Sequence, residues 1–225
     1  MILTSHAQLG NTGKPTGIWA EELTTPYYTL RDAGYEVTLA SPLGGKPPFA
    51  AGSVKEPVEA NEGSVKRFLQ DAQAMALFNA TLKTSDVKAA DYSAVFLPGG
   101  HGTMWDTAVD EHTARLVSDA FNAMQPVAAV CHGPAGLVKA RRSDGKSILF
   151  GKRVNAFTNE EETTVNLMDV VPFHLESKMR ELGGFFEHGP MWQPYVVRDG
   201  NLITGQNPAS SALVAQHVLA ALREQ

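Results

Sequence analysis

Ala128-Ala129-Val130-Cys131-His132-Gly133-Pro134 runs from an apolar stretch into small residues and a proline. This is the pattern of a buried parallel strand that breaks sharply into a helix. Such a break exposes the residue at its tip, packs it against small neighbours and points it at the positive end of a helix dipole. Cys131 occupies that tip, and it is the only cysteine among 225 residues. All three effects predict a reactive thiolate. Without this context, a lone cysteine reads as a small buried hydrophobe.

Working outward, the strand Val127 to Val130 follows a helix from about Thr113 to Met124 that buries Val117, Ala120, Phe121 and Met124. Ahead of it, Tyr92-Ser93-Ala94-Val95-Phe96-Leu97 is nearly all apolar, as a central parallel strand covered on both faces should be. Pro98-Gly99-Gly100-His101-Gly102 ends it. Toward the N-terminus, Ile2-Leu3-Thr4 reads as a first strand cut short, Glu22 to Ala33 as a helix, and Tyr35 to Ala40 as a strand. Ser41 to Gly63 holds four prolines and four glycines and predicts a surface loop. One amphipathic helix then carries Val65, Phe68, Leu69, Ala72 and Ala76.

Beyond the cysteine, a strand is expected near Val154 to Phe157, then a helix with Pro172 in its first turn and Gly183-Gly184 after its end. A hairpin from Tyr195 to Thr204 turns at Asp199-Gly200, and Asn207-Pro208 caps a last helix. Alternating helices and strands predict an α/β fold: a three-layer α/β/α sandwich with a mostly parallel sheet, in a single domain spanning 1–225.

Bulk properties narrow the partners. The net charge is −5, and no run of Lys or Arg suggests a phosphate-tracking surface, so nucleic acid is not expected. No apolar stretch approaches the roughly 20 residues of a membrane span, and the first residues lack the regions of a signal peptide. A cytoplasmic location is expected. One cysteine cannot form an internal disulfide, which agrees with a reducing compartment.

Ligands of such sheets bind beyond the carboxyl ends of the strands, where Pro98-Gly99-Gly100-His101-Gly102 and Cys131-His132-Gly133 both lie. Gly99 and Gly100 let backbone approach a ligand closely, and the amides of Gly100 and His132 suit an oxyanion hole beside the sulfur. His132 serves as acid and base if the elbow bends its ring back to the thiol and a carboxylate orients its other nitrogen. Glu160, Glu161 and Glu162, just past another strand end, are the candidates, with at most one of them catalytic. Glu21 and Glu22 open the first helix toward the same crevice, where a desolvated carboxylate suits a proton shuttle. Among Phe49, Trp105, Trp192 and Tyr195 as pocket walls, Trp105 is singled out, with His101 as a donor to substrate.

Together these segments resemble the ThiJ/PfpI superfamily, of glutamine amidotransferase-like, flavodoxin-like fold, and within it the heat-inducible, glutathione-independent glyoxalase III branch. The resemblance rests on Thr16-Gly17 with Glu22 and Pro26, on Gly100-His101-Gly102-Thr103 with Asp106, and on the Cys131-His132-Gly133-Pro134 elbow. Gly151-Lys152, Phe157-Thr158 and Thr204-Gly205-Gln206-Asn207-Pro208-Ala209-Ser210 extend it. It implies Cys131 as nucleophile, His132 as its partner, Glu22 as the carboxylate touching the thiol, and an acid after Phe157-Thr158. Counting forward selects Glu162, while Glu160 and Glu161 stay open. The implied reaction converts methylglyoxal or a related 2-oxoaldehyde, a small-molecule carbonyl substrate, to a 2-hydroxy acid such as D-lactate, with no cofactor. The implied assembly is a homodimer. Val170 to Glu187 departs from the glyoxalase pattern. The two-His-one-Glu metal site of some heat-shock members finds no clear counterpart, so no metal is expected.

Four other activities are alternative readings of the same fold. A stress-response holdase chaperone or a cysteine-oxidation sensor would use the same thiol without turnover. An amidotransferase would need a late His-x-Glu, and only His174-Leu175-Glu176 has that spacing, inside a helical pattern. A peptidase would need an extended groove that no segment suggests.

Overall fold

In the computed structural model, which describes residues 1–224, α1 (Ala20–Asp32), β1 (Ala40–Ser41), α2 (Gly63–Gln70), α3 (Ala72–Asn79), β2 (Leu82–Lys83) and β3 (Val95–Leu97) come first. Next along the chain are α4 (Glu111–Asn122), β4 (Val127–Val130), β5 (Arg153–Val154), α5 (Asn159–Thr164), α6 (Leu175–Glu181) and β6 (Phe185–Phe186). A hairpin of β7 (Val196–Asp199) and β8 (Leu202–Gly205) leads to α7 (Ser211–Arg223). The main sheet has the order β3-β4-β8-β7, parallel except for β7. Met1 to Leu3 links it to the parallel pair β1-β2, since Ile2 N–H donates to Phe96 and Leu3 N–H donates to Ala40.

The period-2 geometry of strands sorts the apolar residues into two layers. Val95, Leu97, Val127, Ala129 and Leu202 join Leu116, Val117 and Ala120 of α4 on one face. Phe96, Ala128, Val130 and Ile203 join Val214, Val218 and Ala221 of α7 on the other, where α1 also packs. Full burial of a side chain such as Val117 contributes about 1.5–3 kcal/mol. The result is the expected three-layer α/β/α sandwich. No helix among the described residues is long and apolar enough to cross a membrane.

Several expected elements differ in extent. The first strand is a single bridge, Ile2 to Ala40, and the strand expected from Tyr35 pairs only at its end, as Ala40–Ser41. The single helix expected over Val65 to Ala76 is two, because Asp71 adopts extended geometry and its carboxylate caps α3 through the amides of Gln73 and Ala74. The break rotates the second helix, so Ala74 and Phe78 are buried while Ala72 and Ala76 face solvent. Met124 lies beyond the end of α4 with φ of 61° and is 66 % exposed, outside the core assigned to it. Pro172 precedes α6, which starts at Leu175. The hairpin turns at Gly200-Asn201, one residue later than expected, because Asp199 still pairs with Leu202. Asn207 caps a short 3-10 turn, Pro208–Ser210, and this turn feeds α7.

Candidate active site

The elbow is built by strain held in place. Cys131 has φ of 60°, a left-handed conformation worth about 1–3 kcal/mol of strain in a residue with a Cβ. Two hydrogen bonds fix it: its N–H donates to Gly205 and its carbonyl accepts from Phe157, each at 2.9 Å. Gly133 lies so close to β3 that a Cβ there would stand 2.1 Å from the Leu97 carbonyl oxygen. Thr103 Oγ1, within reach of both the Gly100 and His132 carbonyls at 2.9 Å, ties the glycine turn to the elbow. The chain leaves the elbow through a five-residue 3-10 turn, Gly133–Leu137, where the sequence suggests an α-helix, so any dipole at the thiol is that of one short turn.

The sharp bend brings His132 back onto its neighbour, with Nδ1 3.3 Å from Cys131 Sγ. Its Nε2 lies 2.7 Å from Glu162 Oε2, and Oε1 of the same carboxylate lies 2.7 Å from His101 Nε2. Glu162 is thus the member of the glutamate run that reaches the imidazole. The two histidines hold its carboxyl well below the usual carboxylate range, although burial opposes them. An ionised carboxylate accepts only, so His132 carries its proton on Nε2 and turns an unprotonated Nδ1 toward the sulfur. Burial, helped by the neighbouring His101, pushes the His132 pKa down and keeps the ring neutral.

Glu22 reaches the thiol from α1. The Trp19 amide donates to the Gly99 carbonyl at 3.2 Å, and the Gly99 amide donates to Glu22 Oε2 at 2.7 Å, so the helix start and the glycine turn hold each other. Glu22 is fully buried; its Oε1 has no well-directed partner among the described residues, and the carboxyl interacts with the Cys131 thiol. Burial pushes its pKa up to about 8. Burial above all pushes the Cys131 thiol up as well. Burial thus works against the thiolate expected from sequence, and His132 Nδ1 is placed to take the sulfur's proton.

The remaining expected residues divide. The Gly99 amide is occupied by Glu22, and a Cβ on Gly99 would meet Glu22 Oε2 and His132 N at 2.6 Å, so Gly99 permits a close approach and donates nothing to a substrate. Trp105 stacks on His6 at 5.3 Å, and Phe49 stacks on Phe78. Two aromatic rings do lie against the site: Phe157, not proposed as a wall from sequence, has its ring 4.5 Å from that of His132, and Trp192, one of the four candidate walls, packs on Phe157 at 5.6 Å. Glu160 is exposed. His174 and Glu176 are spent at α6, where Glu176 binds Arg180 and the Asn159 amide.

The fold does gather two histidines and a glutamate, which the sequence spacing conceals. The ligand atoms of His101, His132 and Glu162 lie within 4.8 Å of one another. They satisfy each other: both carboxylate oxygens are engaged by imidazole nitrogens, so an ion would have to displace both contacts. The arrangement fits a hydrogen-bonded relay better than a metal centre.

Glu22 gives stability a pH dependence. Between its ordinary pKa of 4.5 and about 8 the folded chain keeps a proton that the unfolded chain has released, so this group's contribution to stability is lost as pH rises through that window. Glu22→Gln, isosteric with the protonated acid, is expected to flatten stability against pH between these limits. Urea midpoints across the range test this; an unchanged slope would show that Glu22 is ionised throughout.

The sequence model of the DJ-1/PfpI family matches residues 16–221. A glutathione-independent glyoxalase of Schizosaccharomyces pombe is 31% identical over 218 residues, covering 91% of this chain and 86% of its own. The solved structure of the rapid encystment protein of Francisella tularensis superposes with a TM-score of 0.93 at 35% identity, over 99% of this chain and 97% of that one. Glyoxalase III from Candida albicans superposes with a TM-score of 0.88 at 28% identity, over 98% and 95%.

Proposed function

We propose, from the premise that this chain belongs to the DJ-1/PfpI family and its glyoxalase III-like branch, that it converts methylglyoxal or a similar 2-oxoaldehyde to a 2-hydroxy acid without glutathione. The observation that carries this is the relay Cys131–His132–Glu162 with a second, largely protonated carboxyl, Glu22, on the same sulfur. An internal oxidation and reduction of adjacent carbons through an enediol is served by a nucleophile that holds the aldehyde carbon and by groups that carry protons between the two carbons.

In the proposed cycle the Cys131 sulfur bonds to the aldehyde carbon while its proton passes to His132 Nδ1, and the aldehyde oxygen takes a proton to give a hemithioacetal. Amides of Gly100 and His132 steady the developing oxyanion. Removal of the proton from the former aldehyde carbon gives an enediol, and protonation of the adjacent carbon gives a thioester of the 2-hydroxy acid. The aldehyde carbon is oxidised and the ketone carbon reduced, so no external redox partner enters. Water then cleaves the thioester, returns the thiol and completes the sum of one 2-oxoaldehyde and one water to one hydroxy acid. Glu22 and His132 are the proton carriers.

The proposal includes a cytoplasmic, single-domain chain acting as a homodimer; the family resemblance supports the dimer, and the absence of a membrane-crossing helix among the described residues accords with the location. Purified protein is expected to consume methylglyoxal saturably and form lactate with no glutathione present. Absence of turnover, where the fission-yeast relative turns over under the same conditions, would overturn the assignment.

A further inference from the structure

Glu161 is fully buried, and among the described residues no cationic side chain makes an ion pair with it. Its charge is met by neutral donors alone. Oε2 accepts from the Thr158 amide and hydroxyl, each at 3.1 Å, while the Glu161 amide returns a bond to Thr158 Oγ1. Oε1 accepts from the Trp192 amide at 3.0 Å, Gln206 Nε2 at 3.1 Å and Asn207 Nδ2 at 2.8 Å. A buried carboxylate without a cation is expensive unless every lone pair is used, and here five donors from three chain segments converge on one.

Those segments all border the relay. The Thr158 box fixes the first turn of α5, and Glu162 is the next residue on that turn. Trp192 has φ of 62°, an unfavourable backbone for a tryptophan, and its bonded amide is held by Glu161. Its indole rests on Phe157, which rests on His132. Gln206 and Asn207 directly follow Gly205, whose carbonyl holds the Cys131 amide.

We infer that Glu161 is a positioning residue for the candidate reaction: one buried carboxylate sets the direction of Glu162 toward His132 and seats the Trp192–Phe157 wall against the same imidazole. The role rests on the proposed function only for its consequence on turnover. Its physical content is that Glu161 acts on the thiol through Glu162.

The test is the rate of Cys131 alkylation by iodoacetamide against pH, with tryptophan emission recorded on the same samples, in the unmodified protein, Glu161→Gln, Glu162→Gln and the double variant. Glutamine keeps the shape but turns an NH₂ toward donors. Glu161→Gln alone is expected to slow alkylation about tenfold near neutral pH, to displace the pH profile and to shift the emission of Trp192. In the Glu162→Gln background the same change is expected to cost less than about twofold, because contacts in one network are not additive. Equal losses in both backgrounds, or no loss in either, would overturn the inference. If Glu161→Gln does not melt cooperatively, Gln206→Leu replaces it; this removes one donor and spares the Thr158 box. A threefold or so loss that vanishes in the Glu162→Gln background is then expected, and an additive loss overturns the inference. Failure of the glyoxalase assignment is separable, since it would leave this coupling intact with methylglyoxal untouched.

Discussion

Replacing Cys131 with serine is expected to lower methylglyoxal turnover by at least about three orders of magnitude, with the melting temperature almost unchanged. Oxygen is smaller and far less acidic than sulfur, and the base that must accept its proton is an imidazole whose pKa is already pushed down by burial. Even a thiol held up by burial gives up its proton to such a base more readily than a serine hydroxyl does, and the sulfur is the better nucleophile toward an aldehyde. The backbone has no reason to change, because serine meets the same left-handed geometry and the same bonds to Gly205 and Phe157. Lactate formation and a thermal melt on one preparation check both halves. Residual turnover within tenfold of the parent would remove the sulfur from the reaction.

Gly100→Ala is expected to destabilise the protein by about 3–5 kcal/mol, through clash and strain together. Gly100 has φ of 102°, and a Cβ there would stand 2.2 Å from the Gly17 carbonyl oxygen, 2.6 Å from the Trp19 nitrogen and 2.9 Å from the Ile18 carbonyl carbon. Every one of these atoms is backbone, so no rotamer change relieves the contact. The segment must move, and it carries the start of α1 with Glu22 away from Gly99 and the thiol. Gly13→Ala is the matched comparison: φ is 72° and nothing lies within 4 Å, so strain of about 1 kcal/mol is expected alone. Chemical denaturation of the pair decides the matter. A Gly100→Ala penalty no larger than that of Gly13→Ala would mean that residues 17–19 yield freely.

The layers and the elbow are legible in the chain because they depend on short-range pattern. Val127 to Val130 is apolar without interruption, and the residues after it are small because β3 lies against them. The split between α2 and α3 is less legible: Asp71 sits among residues at helical spacing, and only its extended backbone turns it into a cap. Glu162 can be picked out by counting along the motif, but its bond to His101 joins residues 61 positions apart and carries no local signal. Glu161 is the extreme case. Three consecutive glutamates look alike as candidates, and nothing near Glu161 announces partners at Trp192, Gln206 and Asn207. The two indoles are no easier to tell apart from composition, although the fold stacks Trp105 on His6 and lays Trp192 on Phe157.

The left-handed backbone at Cys131 sets two selective pressures against each other at one peptide unit. Glycine, the residue that this geometry favours, is also the one that carries no reactive atom. The sturdier residue at that position is thus the inert one, and endurance and reactivity are traded within a single peptide unit.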